Sequence, residues 1–237
     1  MGFFSSLFGK KEPKKVRIID DLQMEIVHRS PLVNESENFM EMSTFNELAK
    51  YFGETKRAVF SGWGDPLDHP QFFEMLKTAR ENASQVEITT TGTKLNAANI
   101  QELVNIAPDK ITITFNYPQH TLDNVLENLK ALVKQRKSDT KVILDFIMTK
   151  DSIKDLPIFV EQVAVLGVDE VLASNINFVM SPESNSKKVF EGIVSDENRG
   201  DLLAQGKAKG KEEYEDLIAQ AKKVADKKGV YFTPKKL

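Results

Sequence analysis

The sequence predicts an α/β fold in which parallel strands alternate with helices and form a barrel with the helices outside. Short β-branched runs alternate with amphipathic stretches at a spacing of about 30 residues, as in βαβ units with right-handed crossovers. The strand residues also separate by parity into a polar face and an apolar face. The alternation alone fits an open doubly wound sheet or a barrel, full or partial, and the two faces favour the barrel.

The elements follow one another in a regular order. Strands are predicted at residues 22–28, 57–62, 86–91, 110–116, 141–149 and 170–178. Helices are predicted at 43–52, 70–82, 96–106, 120–137, 153–166 and 211–228. Pro70 suits the first turn of its helix. Residues 179–210 contain Pro182 and several glycines, which predicts a long loop.

The two faces of the strands distinguish the candidate folds. A doubly wound sheet is covered by helices on both sides, so both of its faces should be apolar. A barrel can keep a polar interior if it holds water or a ligand. Here the predicted interior face, with the strand ends, carries Glu25, His28, Thr89, Thr91, Thr112, Thr114, Asn116, Asp145, Asn175 and Asn177. This pattern predicts a barrel with a polar cavity.

The composition excludes several classes of protein. Hydrophobic residues make up 41% of the 237 residues, and no apolar run approaches the ~20 residues of a membrane span. The net charge of −3 argues against nucleic acid as the main partner. Cysteine is absent, which excludes thiol nucleophiles and thiolate-bound iron–sulfur clusters formed by this chain.

The chain is predicted to contain two parts. Residues 1–15 form an amphipathic and basic tail, in which Phe3, Phe4, Leu7 and Phe8 precede a run of lysines. Such a tail can make weak peripheral contact with a membrane surface or cap a barrel. It lacks the order of a secretory signal, so a cytoplasmic location is expected. Residues 16–237 form the barrel domain.

The strongest local motif lies between the second strand and its helix. Residues 60–70 read Phe-Ser-Gly-Trp-Gly-Asp-Pro-Leu-Asp-His-Pro. Glycines permit a close backbone approach in such a turn. The motif resembles the Gly-Gly-Glu-Pro turn of radical S-adenosylmethionine (SAM) enzymes, which holds the amino group of SAM. The resemblance implies that Ser61, Gly62, Trp63, Gly64 and Asp65 form a SAM-like ligand-binding turn.

Further segments support this resemblance in their order and spacing. Residues 87–93 (Glu-Ile-Thr-Thr-Thr-Gly-Thr) are similar to the family's third strand, which ends in Thr-Asn-Gly-Thr. Residues 111–116 with 124–132 resemble the fourth strand and its helix, and 167–171 resemble the entry to the sixth strand. The similarity runs from about Leu22 to Phe232. It implies a partial (β/α)6 TIM-type barrel with a parallel sheet and helices outside.

The sequence departs from the family in the loop after the first strand. The family carries Cys-x3-Cys-x2-Cys there and binds a [4Fe–4S] cluster with it. The corresponding positions of this chain are Ser30, Asn34 and Glu37. These oxygen and amide side chains do not replace thiolates as cluster ligands. We therefore expect no iron–sulfur cluster and no radical SAM activity.

SAM binding is expected to be weak or absent for the same reason. Without a cluster, SAM loses the iron that chelates it in the family. Asp65 is shorter than the family's glutamate, and Thr91 replaces a common asparagine. No other cofactor is predicted. The 30–42 loop is expected to be mobile, or to be held by Phe39 and Met40 over the barrel mouth.

Two functions remain open at this stage. The first is a catalytically degenerate radical-SAM-like protein that binds a peptide, a small ligand or an active homologue and assists it. Its partner would be an active radical SAM homologue or a precursor peptide. The second is a hydrolase or lyase built on Glu25, His28, Asp65 and Asp145, since a histidine beside carboxylates can perform acid–base chemistry.

Overall fold

Seven parallel strands form the main sheet. The computed structural model describes residues 19–29, 38–116, 121–175, 189 and 212–235. The order in the sheet is β1 (Ile19–Met24), β4 (Thr55–Phe60), β5 (Gln85–Thr90), β6 (Lys110–Phe115), β7 (Lys141–Met148), β8 (Glu170–Asn175) and β9 (Tyr231–Lys235). Because β1 and β9 lie at opposite ends of this order, the sheet remains open. The predicted α/β fold with a parallel sheet is confirmed.

The helices alternate with the strands. They are α1 (Met42–Ala49), α2 (Phe72–Asn82), α3 (Ala97–Ile106), α4 (Leu126–Gln135), α5 (Leu156–Val163) and α6 (Glu212–Lys228). Along the first half of the sheet α1 packs on α2, α2 on α3 and α3 on α4, while α5 packs on α6. No helix of the described ranges is long and apolar enough to cross a membrane.

The core lies on one face of the sheet. Alternate residues of the central strands are almost completely buried there, and the register aligns them from strand to strand. This apolar face consists of Met24, Ala58, Phe60, Val86, Ile88, Ile111, Ile113, Phe115, Val142, Leu144, Phe146, Met148, Val171 and Ala173. The residues between them form the opposite, polar face, which is here called the lumen face. The sheet therefore has one apolar and one polar face, as the sequence predicts, and the candidate site lies on the polar lumen face.

The lumen face near the strand starts is filled by paired charges. Arg57 donates to both carboxylate oxygens of Asp21 at 2.5 and 2.6 Å. Glu87 lies 3.9 Å from Arg57 and forms an ion pair with Lys110 on the next strand. Charges of alternating sign thus cross four neighbouring strands. Since these groups satisfy one another, this end of the lumen offers little to a ligand.

The structure corrects the prediction for Asn175. Asn175 pairs in register with Met148 and is 6% exposed, so it lies on the apolar face with Ala173. Ser174 takes the lumen-face position instead. The segment carries polar residues at both parities, and the sequence prediction chose the wrong one. A shift of one residue is enough to reverse a strand's faces.

Other differences concern the ends of the sheet. The predicted strand 22–28 is divided: β1 ends at Met24, and β2 (Val27–His28) pairs antiparallel with β3 (Asn38–Phe39). β9 was not predicted, because Pro234 weakens a strand pattern. The signal for it was the run Val230–Thr233 directly after Gly229, whose positive φ of 76° ends α6. Ser30, Asn34, Glu37, Asn177, residues 1–15 and nearly all of 179–210 lie outside the described residues.

Candidate functional site

A polar pocket opens at the carboxyl ends of β4, β5 and β6. Its cavity volume is about 400 Å³, which lies within the range of small-molecule sites. The turn after β4 provides one wall, and threonines on and after β5 and β6 provide the other. The lining residues are Arg29, Gly62, Trp63, Gly64, Asp65, Asp68, Thr89, Thr90, Thr91, Thr93 and Thr114. The carboxyl end of a parallel sheet is where α/β folds bind ligands.

Asp65 joins the two walls of the pocket. Its Oδ2 accepts hydrogen bonds from the amide and the hydroxyl of Thr91, at 2.8 and 2.6 Å. The hydroxyl of Thr90 lies 2.9 and 2.8 Å from the two carboxylate oxygens, and Leu67 N donates to Oδ1 at 3.0 Å. The carboxylate is therefore fully engaged within the protein. Its role here is to position the turn.

The two glycines of the turn are required by the segment that follows β1. A Cβ atom on Gly62 would lie 2.4 Å from Cγ of Glu25. A Cβ on Gly64 would lie 2.5 Å from the carbonyl oxygen of Val27, to which Gly64 N donates at 3.1 Å. Glu25 Oε1 accepts from Trp63 N at 2.7 Å. Glycine thus allows close backbone packing against residues 25–27.

The base of the loop after β1 is held by backbone pairing. Val27 pairs with Phe39 and His28 with Asn38, and Met40 N donates to Ile26 O at 2.9 Å. The ring of Phe39 packs edge-on against His69 and is 43% exposed. Met40 is partly buried against the core. Neither residue is part of the pocket lining.

His69 strengthens this closure from the start of α2. It is buried, its Nδ1 accepts from Gln71 N at 3.0 Å, and its Nε2 lies 3.0 Å from Met40 O. Since Nδ1 acts as an acceptor, the proton is on Nε2, which donates to the Met40 carbonyl. His69 therefore connects the loop base to the turn after β4. It has a structural role.

Asp145 lies on the lumen face beside the pocket. It pairs in register with Thr114, which lines the pocket, and with Leu172 on the other side. Its side chain is hydrogen-bonded to Ser174, while its Oδ1 is shielded from solvent and has no hydrogen-bond partner within the part of the chain that the structure describes. Burial raises the pKa of Asp145, although the Ser174 hydrogen bond and the charge of Lys235 oppose this effect.

The predicted site residues are only partly brought together. Thr89, Thr91, Thr114 and the turn from Gly62 to Asp65 line one pocket. Glu25 and His28 contact each other, with His28 Nδ1 3.3 Å from Glu25 Oε1. Ser61 N donates to Met24 O, and neither Ser61 nor Asn116 is part of the lining.

The acid–base set of the hydrolase or lyase hypothesis is divided among different contacts. Glu25 accepts from Trp63, Asp65 is engaged by Thr90 and Thr91, and Asp145 bonds Ser174. β1 and β7 are also four positions apart in the sheet. No described contact joins these groups into one catalytic unit.

Sequence reasoning missed Arg29, Asp68, Thr90 and Thr93, all of which line the pocket. Thr90 belongs to the apolar parity of β5, so the alternation pattern excludes it. It reaches the pocket because it is the last residue of its strand. Position at the carboxyl end of a strand was the signal that would have found it.

Comparison with solved structures identifies the fold. Streptococcus suis SuiB bound to SAM superposes with a TM-score of 0.66 over 92% of this chain and 51% of that chain, at 12% identity. TYW1 with a lysine–pyruvate adduct superposes with a TM-score of 0.54 over 89% of this chain and 74% of that chain, at 12% identity. The chain has the radical-SAM-like partial barrel fold.

One curated relative can be named. A protein from Pyrococcus furiosus, the tungsten-containing aldehyde ferredoxin oxidoreductase cofactor-modifying protein, is 28% identical over 177 residues. The match covers 68% of this chain and 49% of the relative, so it extends over about half the relative's length. No protein-family model matches the chain.

The donor atoms of this chain do not fit the iron–sulfur cluster that the fold implies. The chain contains no cysteine, and the positions that the sequence resemblance predicts for the cluster ligands carry Ser30, Asn34 and Glu37. Within the described ranges, no group of three or more His, Cys, Asp or Glu side chains is arranged to hold a metal ion.

Proposed function

We propose that this chain is a catalytically degenerate radical-SAM-like protein that binds a small ligand and assists another enzyme. It holds no iron–sulfur cluster of its own. The proposal rests on a polar pocket that is formed in a chain without cysteine thiolates. Asp65 and the two glycines keep the turn in place. The chain thus has a pocket that can hold a ligand, but it lacks the thiolates on which radical SAM chemistry depends.

The named relative supports an accessory role in cofactor handling. That relative is named as a protein that modifies the cofactor of a tungsten-containing aldehyde ferredoxin oxidoreductase. A corresponding role for this chain is to bind a cofactor or its precursor and present it to the enzyme partner. An active radical SAM homologue is the partner class that best supplies the missing radical step.

The proposal is tested by anaerobic reconstitution with iron and sulfide. We expect the wild-type chain to bind less than stoichiometric iron and to lack the absorbance of a [4Fe–4S] cluster. The matched control is the variant with Ser30→Cys, Asn34→Cys and Glu37→Cys, which restores the three thiols at the family spacing. A cluster in this variant alone supports the proposal, whereas one cluster per wild-type chain overturns it.

The assisting role requires a second measurement. The wild-type protein and an active partner from the same organism are assayed together and separately for product formation. A rise in product yield that is lost in Asp65→Ala supports the accessory function. Equal yields with and without the chain contradict it.

A further inference from the structure

From the contacts of Asp145 we infer that the lumen contains a second subsite, formed by Asp145, Ser174 and Thr114, that binds a protonated amino group of the ligand. This inference rests on the proposed ligand-binding function and deepens it. The subsite lies one strand beyond the pocket wall. It specifies a cationic group on the part of the ligand that extends beyond Thr114 toward β7.

One carboxylate oxygen of Asp145, Oδ1, is shielded from solvent and has no hydrogen-bond partner among the described residues. Leaving a buried acceptor unpaired costs about 1–3 kcal/mol, and more when the group is charged. Ser174 is the side chain that hydrogen-bonds Asp145. The described residues therefore provide no donor to Oδ1 of this carboxyl group.

Asp145 lies one strand away from the pocket wall. Adjacent strands lie about 4.8 Å apart, and Thr114 is the register partner of Asp145. Thr114 also lines the pocket. A ligand in the pocket thus reaches the carboxyl by extending across a single strand. Asp145 as a whole is partly exposed, and because its terminal torsion is soft, a modest rotation of the carboxylate is enough to bring an oxygen to a ligand group on the lumen face.

The acceptors around Asp145 match a protonated amino group. An ammonium group has three donors and needs acceptors. Asp145 offers a carboxylate oxygen, while the hydroxyls of Ser174 and Thr114 each keep lone pairs after donating, to Asp145 and to Thr90 O respectively. A cation also offsets the burial of the carboxylate, which a neutral hydroxyl group does not. An anionic group would be repelled.

Charged neighbours determine how strongly the subsite binds. Lys235 on β9 pairs in register with Ser174 and acts electrostatically on Asp145. Glu170 on β8, also on the lumen face, accepts a hydrogen bond from Thr233 at 2.5 Å. Lys235 therefore competes with a ligand ammonium group for the same carboxylate. Its removal should strengthen binding of a cation.

The test compares 2-phenylethylamine with its neutral analogue 2-phenylethanol. Binding to the full chain is followed by NMR of protein carrying ¹³C-labelled aspartate, with the Asp145 resonance assigned from Asp145→Asn. We expect the amine to move this resonance and to bind at least about tenfold more tightly than the alcohol, the ratio that about 1.4 kcal/mol provides. Asp145→Asn should remove this preference, and Lys235→Gln should increase amine affinity.

The outcomes separate this inference from the proposed function. Equal binding of amine and alcohol, or an unchanged preference in Asp145→Asn, overturns the subsite. The main pocket is read independently through the fluorescence of Trp63, the single tryptophan of the chain. If a ligand changes the fluorescence of Trp63 but does not move the Asp145 resonance, the proposed ligand-binding function stands and the subsite is refuted.

Discussion

Thr91 donates twice to one oxygen of Asp65, through its backbone amide at 2.8 Å and its hydroxyl at 2.6 Å. This pair of hydrogen bonds to Oδ2 connects the turn after β4 to the residue that follows β5. The hydroxyl of Thr93 lies 3.0 Å from that of Thr91. Because the Thr91 proton is committed to Asp65, Thr93 is the donor in this pair. A chain of hydroxyls thus starts from one carboxylate.

Asp65→Ala should destabilise the protein by about 2–4 kcal/mol, since it leaves several donors unpaired at once. Urea denaturation measures the change. Thr91→Val should cost less, because the Thr91 amide still bonds Asp65. The double variant should be less destabilised than the sum of the two single variants, because the residues share a network. Additive effects would contradict the coupling.

Gly64→Ala should cost about 1–3 kcal/mol, the range for overpacking. The added methyl group would meet the backbone oxygen of Val27 at 2.5 Å, and a backbone atom yields less readily than a side chain. Gly62→Ala should be partly rescued by Glu25→Ala, which removes Cγ and Cδ of Glu25 and leaves only its Cβ, 2.8 Å from the added methyl group. Gly53→Ala is the control, since nothing lies within 4 Å of its Cβ position. Thermal unfolding ranks the four variants by melting temperature. A decrease in melting temperature for Gly53→Ala as large as that for Gly64→Ala would be inconsistent with the expected ranking.

Asp145→Asn should stabilise the protein at neutral pH. Burial raises the pKa of Asp145 in the folded state, so the unfolded chain releases this proton at a lower pH. Below the unfolded-state pKa of about 3.9, Asp145 is protonated in both the folded and the unfolded chain. In that range the stabilities of the wild type and of Asp145→Asn should change with pH in nearly the same way. The wild type then loses stability relative to the variant as pH rises through the folded-state pKa. Melting temperatures between pH 3.5 and 8 measure this difference, and parallel curves would refute it.

Trp63 provides a direct optical signal for the pocket. Its side chain is 44% exposed and lines the cavity, so a bound ligand should change its emission. Titration with SAM should give a weak response or none, because no cluster iron chelates the cofactor. Tight one-to-one binding of SAM that persists in Asp65→Ala would contradict the role assigned to the turn.

The limits of sequence-based prediction are clear at particular residues. The apolar face from Val86 to Met148 was predictable, because burial enforces alternation over several strands. Ser174 and Asn175 were exchanged, because their segment is polar at both parities. The engagement of Asp65 by Thr90 was not predictable from spacing, since it depends on where two loops meet. Trp63 and the glycines were identified through a motif, yet their contacts with residues 25–27 required the fold.

The antiparallel pair of Val27–His28 with Asn38–Phe39 has a consequence for protein engineering. Because this pairing holds the described residues on both sides of positions 30–37, we expect the free energy of unfolding to depend only weakly on the number of residues inserted between Arg29 and Asn38. Doubling the length of a flexible connection costs only about 0.6 kcal/mol in closure entropy. Binding peptides or thiol-bearing segments inserted there are therefore expected to be tolerated, and they would follow Arg29, which lines the pocket.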